Sequence, residues 1–326
     1  MTKIRFWMRT WVLALAACCG LVAGAAAQTL SLGVSDGPVS LPIYVAQANG
    51  YFEREGLSLS TRSCSSGRDC YKLMAEGTVQ LATAAELIAT LNSFTRQDLA
   101  FIASISASSS QIKIVARRSA GIAAPSQVAG KRVGTVQGSS AAYFLGRWLA
   151  LDNPRGRDST IVSMEPGRIA AALQRGEIDA AAIWEPVASN AAAALGSDGV
   201  LFENPGLYSQ QFGLITSRAL IKTREADLLK LLRALQQAER FIAEQPLKAQ
   251  QLLVARLGVT SAQAAAQMRE HDFRLGLDFS LIDTMDSQAR WAIREMRVQP
   301  RPDTLLNVVD PALLRKVAPD AVQLGR

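Results

Sequence analysis

The chain has 326 residues, of which 49% are hydrophobic and 19% are charged, and its formal net charge is +7. A chain of this length is typical of about two domains, with enough apolar mass for a core in each. Lys3, Arg5 and Arg9 precede the first acidic residue, and without them the net charge falls to +4. Because no dense stripe of Lys and Arg remains, the composition argues against a nucleic-acid partner.

Residues 1–27 have the pattern of an export signal. The positive segment is followed by an apolar stretch, Trp11–Ala23, and by small residues, Ala25–Ala27, that form a cleavage site. The stretch is short for a bilayer-spanning helix, so we interpret residues 1–27 as a cleaved signal peptide and predict a periplasmic protein. The alternative is a lipoprotein anchored at Cys18, since Leu15–Cys18 resembles a lipobox, although the residues after Cys18 stay apolar.

Strand-like and helix-like segments alternate along the first two thirds of the chain. Short apolar runs predict strands at Thr29–Val34, Leu57–Arg62, Val79–Thr83, Leu99–Ser106, Ile112–Ala116, Arg132–Val136, Ile161–Met164, Ile178–Ile183, Val200–Phe202 and Gln210–Thr216. Helices are predicted at Ile43–Ala48, in a segment ending near Gly77, and at Glu86–Asn92, Ala141–Ala150, Ile169–Arg175 and Val187–Leu195. This alternation predicts an α/β protein with mostly parallel, doubly wound sheets and flanking helices.

The last third of the chain is predicted to be helical. Helices are expected at Glu225–Glu244, Leu247–Leu257, Ala262–His271 and Leu281–Arg297. In the first of these, Leu228, Leu231, Leu232 and Leu235 recur at helical spacing and form one apolar face. We expect the C-terminal helices to pack back on the first of two lobes.

One α/β unit occurs twice. Leu73–Ala84 (LMAEGTVQLATA) and Leu173–Ala182 (LQRGEIDAAA) share the order helix, glycine, strand. Two copies predict two similar lobes with a cleft between them. We expect residues 28–112 and 214–326 to form lobe one and residues 113–213 to form lobe two.

Two cysteines follow the predicted leader. Cys64 and Cys70 are close enough in sequence for a local disulfide in an oxidising compartment, and two free thiols are the alternative. His271 is the only histidine, and it has no neighbouring ligand set, so we predict neither a metal nor a cofactor. A Ser-His-Asp set would need His271, which lies in a charged segment predicted to be helical, and the sequence contains no phosphate-binding loop, so we predict that the protein is not an enzyme.

Three segments resemble a known family. They are LPIYVAQANGYFEREGLSL (Leu41–Leu59), GKRVGTVQGSSAAYFL (Gly130–Leu145) and GEIDAAAIWEP (Gly176–Pro186). On these segments the chain is similar to periplasmic substrate-binding proteins of ABC importers, in the group that binds sulfonates, taurine, nitrate and the thiamine pyrimidine precursor. The resemblance implies a two-lobe, type II periplasmic-binding-protein fold that captures a ligand by closure. It also implies an ABC permease and its ATPase as partners of a monomer.

The candidate ligand-binding residues of lobe two follow two predicted strands. Gly138, Ser139 and Ser140 lie between a strand and a helix, where backbone amides and hydroxyls suit an anion. The alternative is ordinary N-capping by one of the serines. Trp184 is expected to stack on a ligand or to pack under a helix. Glu185 is expected to accept hydrogen bonds from a ligand amine or to be a solvated cap, and it is an awkward neighbour for a purely anionic ligand.

The candidates of lobe one also follow predicted strands. Small polar residues in the cysteine loop can present amides to a ligand, whereas an aspartate or glutamate after a strand is often a turn or helix-start residue. The candidates are Ser35, Asp36, Tyr44, Ser65, Ser66, Gly67, Ala85 and Glu86. A cysteine loop is not a general feature of the resembled family.

These observations predict an exported solute-binding protein. We expect it to capture a small organic nutrient, a sulfonate-type anion or a zwitterion, and to deliver it to an ABC permease. One alternative is an enzyme on the same fold, such as a pyrimidine-precursor synthase. The other is a ligand-sensing protein that docks on a membrane receptor.

Overall fold

The computed structural model describes residues 29–151, 158–299 and 305–324. The predicted signal peptide and Cys18 lie outside these residues. Within them, no helix combines the length and apolar character that crossing a bilayer requires.

Ten strands form two five-stranded sheets. The strands are β1 (Leu30–Ser35), β2 (Leu59–Cys64), β3 (Leu81–Ala85), β4 (Leu99–Ser108), β5 (Ile112–Arg117), β6 (Arg132–Thr135), β7 (Thr160–Ser163), β8 (Ala180–Trp184), β9 (Gly199–Phe202) and β10 (Gln210–Ser217). The first sheet has the order β2-β1-β3-β10-β4, and the second has the order β7-β6-β8-β5-β9. We call the first sheet with the helices packed on it lobe one, and the second sheet with its helices lobe two.

The two sheets have the same arrangement. In lobe one, β1 pairs in parallel with β2 and β3, and β10 lies antiparallel between β3 and β4. In lobe two, β6 pairs in parallel with β7 and β8, and β5 lies antiparallel between β8 and β9. Four strands of each sheet therefore point the same way, which confirms the predicted two-lobe α/β fold. The antiparallel strand of each sheet is the one that follows a crossing between lobes. The repeated strands, β3 and β8, occupy equivalent positions.

Thirteen α-helices surround the sheets in the described residues. They are α1 (Leu41–Ala48), α2 (Tyr51–Arg54), α3 (Gly67–Ala75), α4 (Glu86–Ser93), α5 (Ser140–Leu151), α6 (Ile169–Gln174), α7 (Val187–Leu195), α8 (Arg218–Thr223), α9 (Glu225–Glu244), α10 (Pro246–Leu257), α11 (Ser261–Glu270), α12 (Phe279–Trp291) and α13 (Ala312–Val317). The short helices α2, α8 and α13 were not predicted. The last predicted long helix ends at Trp291 and continues as a π-helical turn over residues 292–296.

The C-terminal helices pack on lobe one, as predicted. The leucine face of α9 is fully buried and lies against α1, in the same apolar cluster as the strands of the first sheet. The end of α12 also reaches lobe two. The ring of Trp291 meets the Tyr143 ring edge to face, with centroids 5.5 Å apart. A Cβ on Gly146 would lie 2.9 Å from the Trp291 indole nitrogen, so only glycine lets α5 approach this closely.

Candidate ligand-binding cleft

The carboxyl ends of several strands from both sheets meet at one cleft between the lobes. Open α/β sheets place ligands at this edge because loops and helix N-termini converge there. The space at the cleft, counted together with the solvent that is open to it, is about 510 Å³. Its lining consists of Ser35, Asp36, Val39, Ser66, Gly67, Arg68, Ala85, Ile88, Gln111, Val136, Ser139, Ser140, Trp184, Gln210 and Phe212. Eight of the thirteen candidates lie here, namely Ser35, Asp36, Ser66, Gly67, Ala85, Ser139, Ser140 and Trp184.

A disulfide holds the loop that contributes Ser66, Gly67 and Arg68 to the cleft wall of lobe one. Cys64 and Cys70 are bonded, with Cα atoms 5.4 Å apart, which confirms the predicted pairing. Between them, Ser66 caps α3 by accepting a hydrogen bond from the Asp69 amide at 3.2 Å. A Cβ on Gly67 would lie 2.8 Å from the Cα of Ala84. Gly67 therefore lets the first turn of α3 press against the end of β3.

Arg68 supplies the cation of this wall. One guanidinium nitrogen donates to the carbonyl oxygen of Gln137 at 3.3 Å, and another lies 3.2 Å from the Glu165 carboxylate. Both partners belong to lobe two, so Arg68 bridges the lobes beside the cleft. Arg68 was not among the residues predicted from the sequence, although it directly follows Ser-Ser-Gly in the cysteine loop.

The wall of lobe two is built on the first turn of α5. The Ser139 hydroxyl donates to the Val136 carbonyl oxygen at 2.6 Å, and Ser139 and Ser140 are both buried. Gly138 adopts a positive φ of 70° in the turn before them and does not line the cleft. Trp184 ends β8 and lines the cleft from the neighbouring strand.

The polar half of the cleft combines two helix N-termini and the Arg68 guanidinium with the Asp36 carboxylate, and Glu165 pairs with Arg68 beside it. The N-termini of α3 and α5 approach it from opposite lobes, and the first N–H groups of each helix have no intrahelical partner. A helix N-terminus carries about half a positive charge. Two such termini and the Arg68 guanidinium favour an anion. Apolar side chains cover the rest of the surface, and they are Val39, Ala85, Ile88, Val136, Trp184 and Phe212.

Two candidate carboxylates point away from the cleft. Glu185 is fully buried, and its side chain lies 3.4 Å from the Lys113 ammonium and accepts from the Ser189 hydroxyl at 2.7 Å. Glu86 is likewise fully buried, behind Ala85. Successive side chains of an extended strand point to opposite sides. Because Trp184 and Ala85 face the cleft, the residues that follow them face inward.

The third carboxylate, Asp36, lines the cleft but is already partnered. Its Oδ1 accepts from the Ser63 hydroxyl at 2.5 Å and lies 3.9 Å from the Arg256 guanidinium. Two other candidates do not line the cleft. The Tyr44 hydroxyl donates to the Ser35 carbonyl oxygen at 3.2 Å, and Ser65 is exposed and bonds Asp69.

The buried surroundings of Glu86 shift its titration. Its carboxylate accepts from the Tyr208 hydroxyl, from Gln288 Nε2 at 2.7 Å and from the Gln211 amide at 2.9 Å. Desolvation outweighs these hydrogen bonds and raises the pKa of Glu86 to about 7. Burial also lowers the pKa of His271 to about 4, and this ring lies 2.9 Å from Gln111 Oε1.

The residues that sequence reasoning missed are mainly amides and apolar residues. Gln111 follows the crossing into lobe two, and its Nε2 donates to the Glu185 carbonyl oxygen at 3.2 Å. Gln210 begins the returning strand. Neither carries a motif that would have marked it. Within the described residues, no group of three His, Cys, Asp or Glu side chains is arranged to hold a metal ion.

Comparisons with known proteins agree with this architecture. A family model described as NMT1/THI5-like matches residues 37–249. The taurine-binding periplasmic protein of Escherichia coli (strain K12) is 29% identical over 175 residues, which are 53% of this chain and 52% of that protein. The sequence match thus spans about half of either protein.

Solved structures share the fold at low identity. The alkanesulfonate-binding protein SsuA from Xanthomonas axonopodis pv. citri, bound to MOPS, has a TM-score of 0.74 at 19% identity, over 87% of this chain and 98% of that chain. The desulfurization enzyme DszB with biphenyl-2-sulfinic acid has a TM-score of 0.64 at 18% identity, over 89% of this chain and 99% of that chain. The fold therefore occurs in binding proteins and in an enzyme. Because the family model spans well over half of the sequence, the resemblance found there is confirmed, and this chain belongs to the NMT1/THI5-like family.

Proposed function

We propose that this protein is an exported solute-binding protein that closes on a small organic sulfonate and delivers it to an ABC permease. Residues 28–112 and 214–326 act as one lobe and residues 113–213 as the other, with residues 1–27 removed after export to the periplasm. The single observation that carries the proposal is the convergence of two helix N-termini and Arg68 on a cleft lined by both lobes.

The chemistry of the cleft favours an anion with an apolar body. The polar half suits a sulfonate, whose three oxygens can accept several N–H donors at once. The aromatic rings of Trp184 and Phe212 suit a short alkyl chain or an aromatic ring. The ligand binds the closed state better than the open state, and this differential affinity drives closure.

The cleft offers an ammonium group on the ligand no unpaired carboxylate among the residues that line it. Glu86 and Glu185 face inward, and Asp36 already has Ser63 and Arg256 as partners. We therefore expect a simple sulfonate to bind more tightly than the zwitterion taurine. The named relatives support the class of ligand, since one is a taurine-binding protein and another an alkanesulfonate-binding protein.

A matched pair of ligands tests this order directly. Taurine and 1-propanesulfonate have nearly the same size, but the ammonium of taurine replaces a methyl group. A thermal-shift screen of protein freed of co-purified ligand would compare both with benzenesulfonate, nitrate and an aminopyrimidine. A ligand at a hundredfold excess over its Kd stabilises the folded state by about 2.7 kcal/mol. We expect the largest shifts from 1-propanesulfonate and benzenesulfonate, whereas a shift with the pyrimidine alone would contradict the proposal.

A second measurement separates binding from catalysis. The sulfonate is recovered after prolonged incubation with the protein and analysed by mass spectrometry. A binding protein returns it unchanged, whereas loss of the sulfur-containing group would favour an enzyme. Stimulation of the ATPase of a reconstituted permease by the loaded protein tests delivery and distinguishes a transport partner from a sensor.

A further inference from the structure

The Gln210 side chain brings a free amide to the cleft. Gln210 is 7% exposed and lines the cleft. Among the residues that the structure describes, none forms a hydrogen bond with the side-chain oxygen or nitrogen of Gln210. When a ligand fills the cleft and excludes water, an amide left without a partner costs free energy. A ligand group that hydrogen-bonds to this amide is therefore favoured over an apolar group at the same place.

Two other buried glutamines near the crossings between the lobes have both ends of the amide engaged. Gln111 has the two partners described above, on either side of its amide. Gln211 Oε1 accepts from the Ser104 hydroxyl at 2.7 Å, and Gln211 Nε2 donates to the Ser280 hydroxyl at 3.0 Å. Gln210 differs from both, so its free amide is a specific feature of the cleft.

The strand β10 directs Gln210 toward the cleft. Successive side chains of a strand alternate between its two faces. Gln210 and Phe212 line the cleft, whereas Gln211 bonds residues that do not line it. Phe212 pairs with Ala85, the last residue of β3, so Gln210 lies beyond the end of that strand, where the chain crosses between the lobes. The helix N-termini that suit a sulfonate belong to the walls of the cleft, and Gln210 belongs to the crossing between these walls.

The chemistry of an amide selects a neutral polar group. A carboxamide has two N–H donors and one oxygen acceptor, and it carries no charge. A hydroxyl can accept from the amide nitrogen or donate to the amide oxygen, so it matches Gln210 in either orientation. An ammonium group can only donate, and it keeps a charge that the amide does not neutralise. A methyl group leaves the amide unpaired.

We propose that Gln210 determines the specificity of the cleft, and that the ligand is a hydroxyalkanesulfonate whose hydroxyl bonds the Gln210 amide. This inference rests on the proposed function, because it needs a sulfonate at the helix N-termini. The carbon chain between the two polar groups then lies against Trp184 and Phe212, the aromatic residues of the lining. The cleft recognises both ends of such a ligand.

The test compares sulfonates that differ in one group. 2-Hydroxyethanesulfonate, 1-propanesulfonate and taurine have nearly the same size, and they end in a hydroxyl, a methyl and an ammonium group. 3-Hydroxypropanesulfonate and 1-butanesulfonate form a second pair that is one carbon longer. A hydrogen bond that satisfies a buried amide lowers a Kd about tenfold. In isothermal titration calorimetry we therefore expect one of the hydroxy compounds to bind about tenfold more tightly than its methyl counterpart.

Two variants assign this preference to Gln210. Gln210→Met keeps the length of the side chain and removes the amide, so the hydroxy and methyl compounds should bind about equally. Gln210→Glu supplies a carboxylate, so the affinity for taurine should rise about tenfold relative to that for 2-hydroxyethanesulfonate. Gln211→Met, on the opposite face of β10, is the matched control and should keep the wild-type ratio of Kd values. A merely structural role of Gln210 would change the Kd of both members of a pair by the same factor.

The outcomes are distinguishable. Binding of the hydroxy and methyl compounds with equal Kd values by the wild-type protein overturns the role of Gln210 and leaves the proposed function intact. Retention of the wild-type ratio by Gln210→Met overturns that role as well, even if both compounds bind more weakly. Failure of all these sulfonates to bind overturns both proposals. The wild-type ratio needs no variant, so it decides the matter even if a substitution prevents folding.

Discussion

Replacing Arg68 by glutamine should weaken sulfonate binding about tenfold. A hydrogen bond to a charged group contributes about 1.5–3 kcal/mol when it is well buried. The Arg68 side chain is 39% exposed, so solvent weakens its hydrogen bond to the ligand and we use the lower end of that range. A loss of about 1.4 kcal/mol corresponds to a tenfold increase in Kd. Isothermal titration calorimetry with benzenesulfonate at pH 6 measures this increase directly.

The same experiment separates two roles of Arg68. If the residue acted only as a bridge between lobes, Glu165→Gln would weaken binding as much as Arg68→Gln. The Glu165 side chain is 67% exposed, and exposed ion pairs contribute about 0–1 kcal/mol, so we expect an increase in Kd of only about twofold from its substitution. Arg62→Gln, in the neighbouring edge strand of lobe one, controls for the loss of one positive charge. Equal effects of the Arg68 and Glu165 substitutions, or an unchanged Kd for Arg68→Gln, would refute the assignment of Arg68 to the ligand.

Three further substitutions test the site and the fold. Trp184→Ala should weaken benzenesulfonate binding by about 1–3 kcal/mol in calorimetry, because it removes a large apolar contact, and unchanged affinity would show that the ring does not touch the ligand. The double substitution Cys64→Ser and Cys70→Ser should lower the free energy of unfolding in urea by about 2 kcal/mol, because the disulfide no longer restricts the unfolded chain across this short loop. Reductant should then leave the unfolding curve of the double variant unchanged. Asp179 bonds Arg132 and Arg117, and these contacts lower its pKa to about 2 against the opposing effect of burial. The Asp179 carboxylate stabilises the folded state fully above its unfolded pKa, and this stabilisation is lost as the pH falls from about 4 to about 2. Asp179→Asn should therefore lower the free energy of unfolding, measured in urea, by about 2 kcal/mol at pH 7 and by little at pH 2. An equal cost at both pH values would rule out this electrostatic origin.

The fold was largely predictable because it depends on patterns of many residues. Apolar runs and helical spacing located all ten strands, and the repeated unit predicted two similar lobes, in which β3 and β8 occupy equivalent positions. The short helices were missed because few residues contribute to each. The helix predicted at Leu281–Arg297 ends as an α-helix at Trp291 and continues as a π-helical turn over residues 292–296.

The cleft was predictable in position but not in the direction of each side chain. A residue at the end of a strand can face the ligand or the core, and the sequence alone did not decide between Trp184 and Glu185. The structure decides between them, because the Glu185 carboxylate pairs with the Lys113 ammonium on the neighbouring strand and so lies inside lobe two. This contact joins residues far apart in sequence, as does the contact between Tyr208 and Glu86. Such long-range partners are what a local pattern cannot supply.

The described part of the chain contains three tryptophans, and each lies in a different setting. Trp148 is buried in the core of lobe two, Trp184 lines the cleft, and Trp291 lies where α12 meets α5. A ligand that stacks on Trp184 changes its fluorescence on contact, whereas the emission of Trp291 responds when the lobes move against each other. Trp148 provides a steady background. Stopped-flow fluorescence of the unlabelled protein, with Trp184→Phe and Trp291→Phe as paired variants, can therefore time ligand arrival and lobe closure as two separate events.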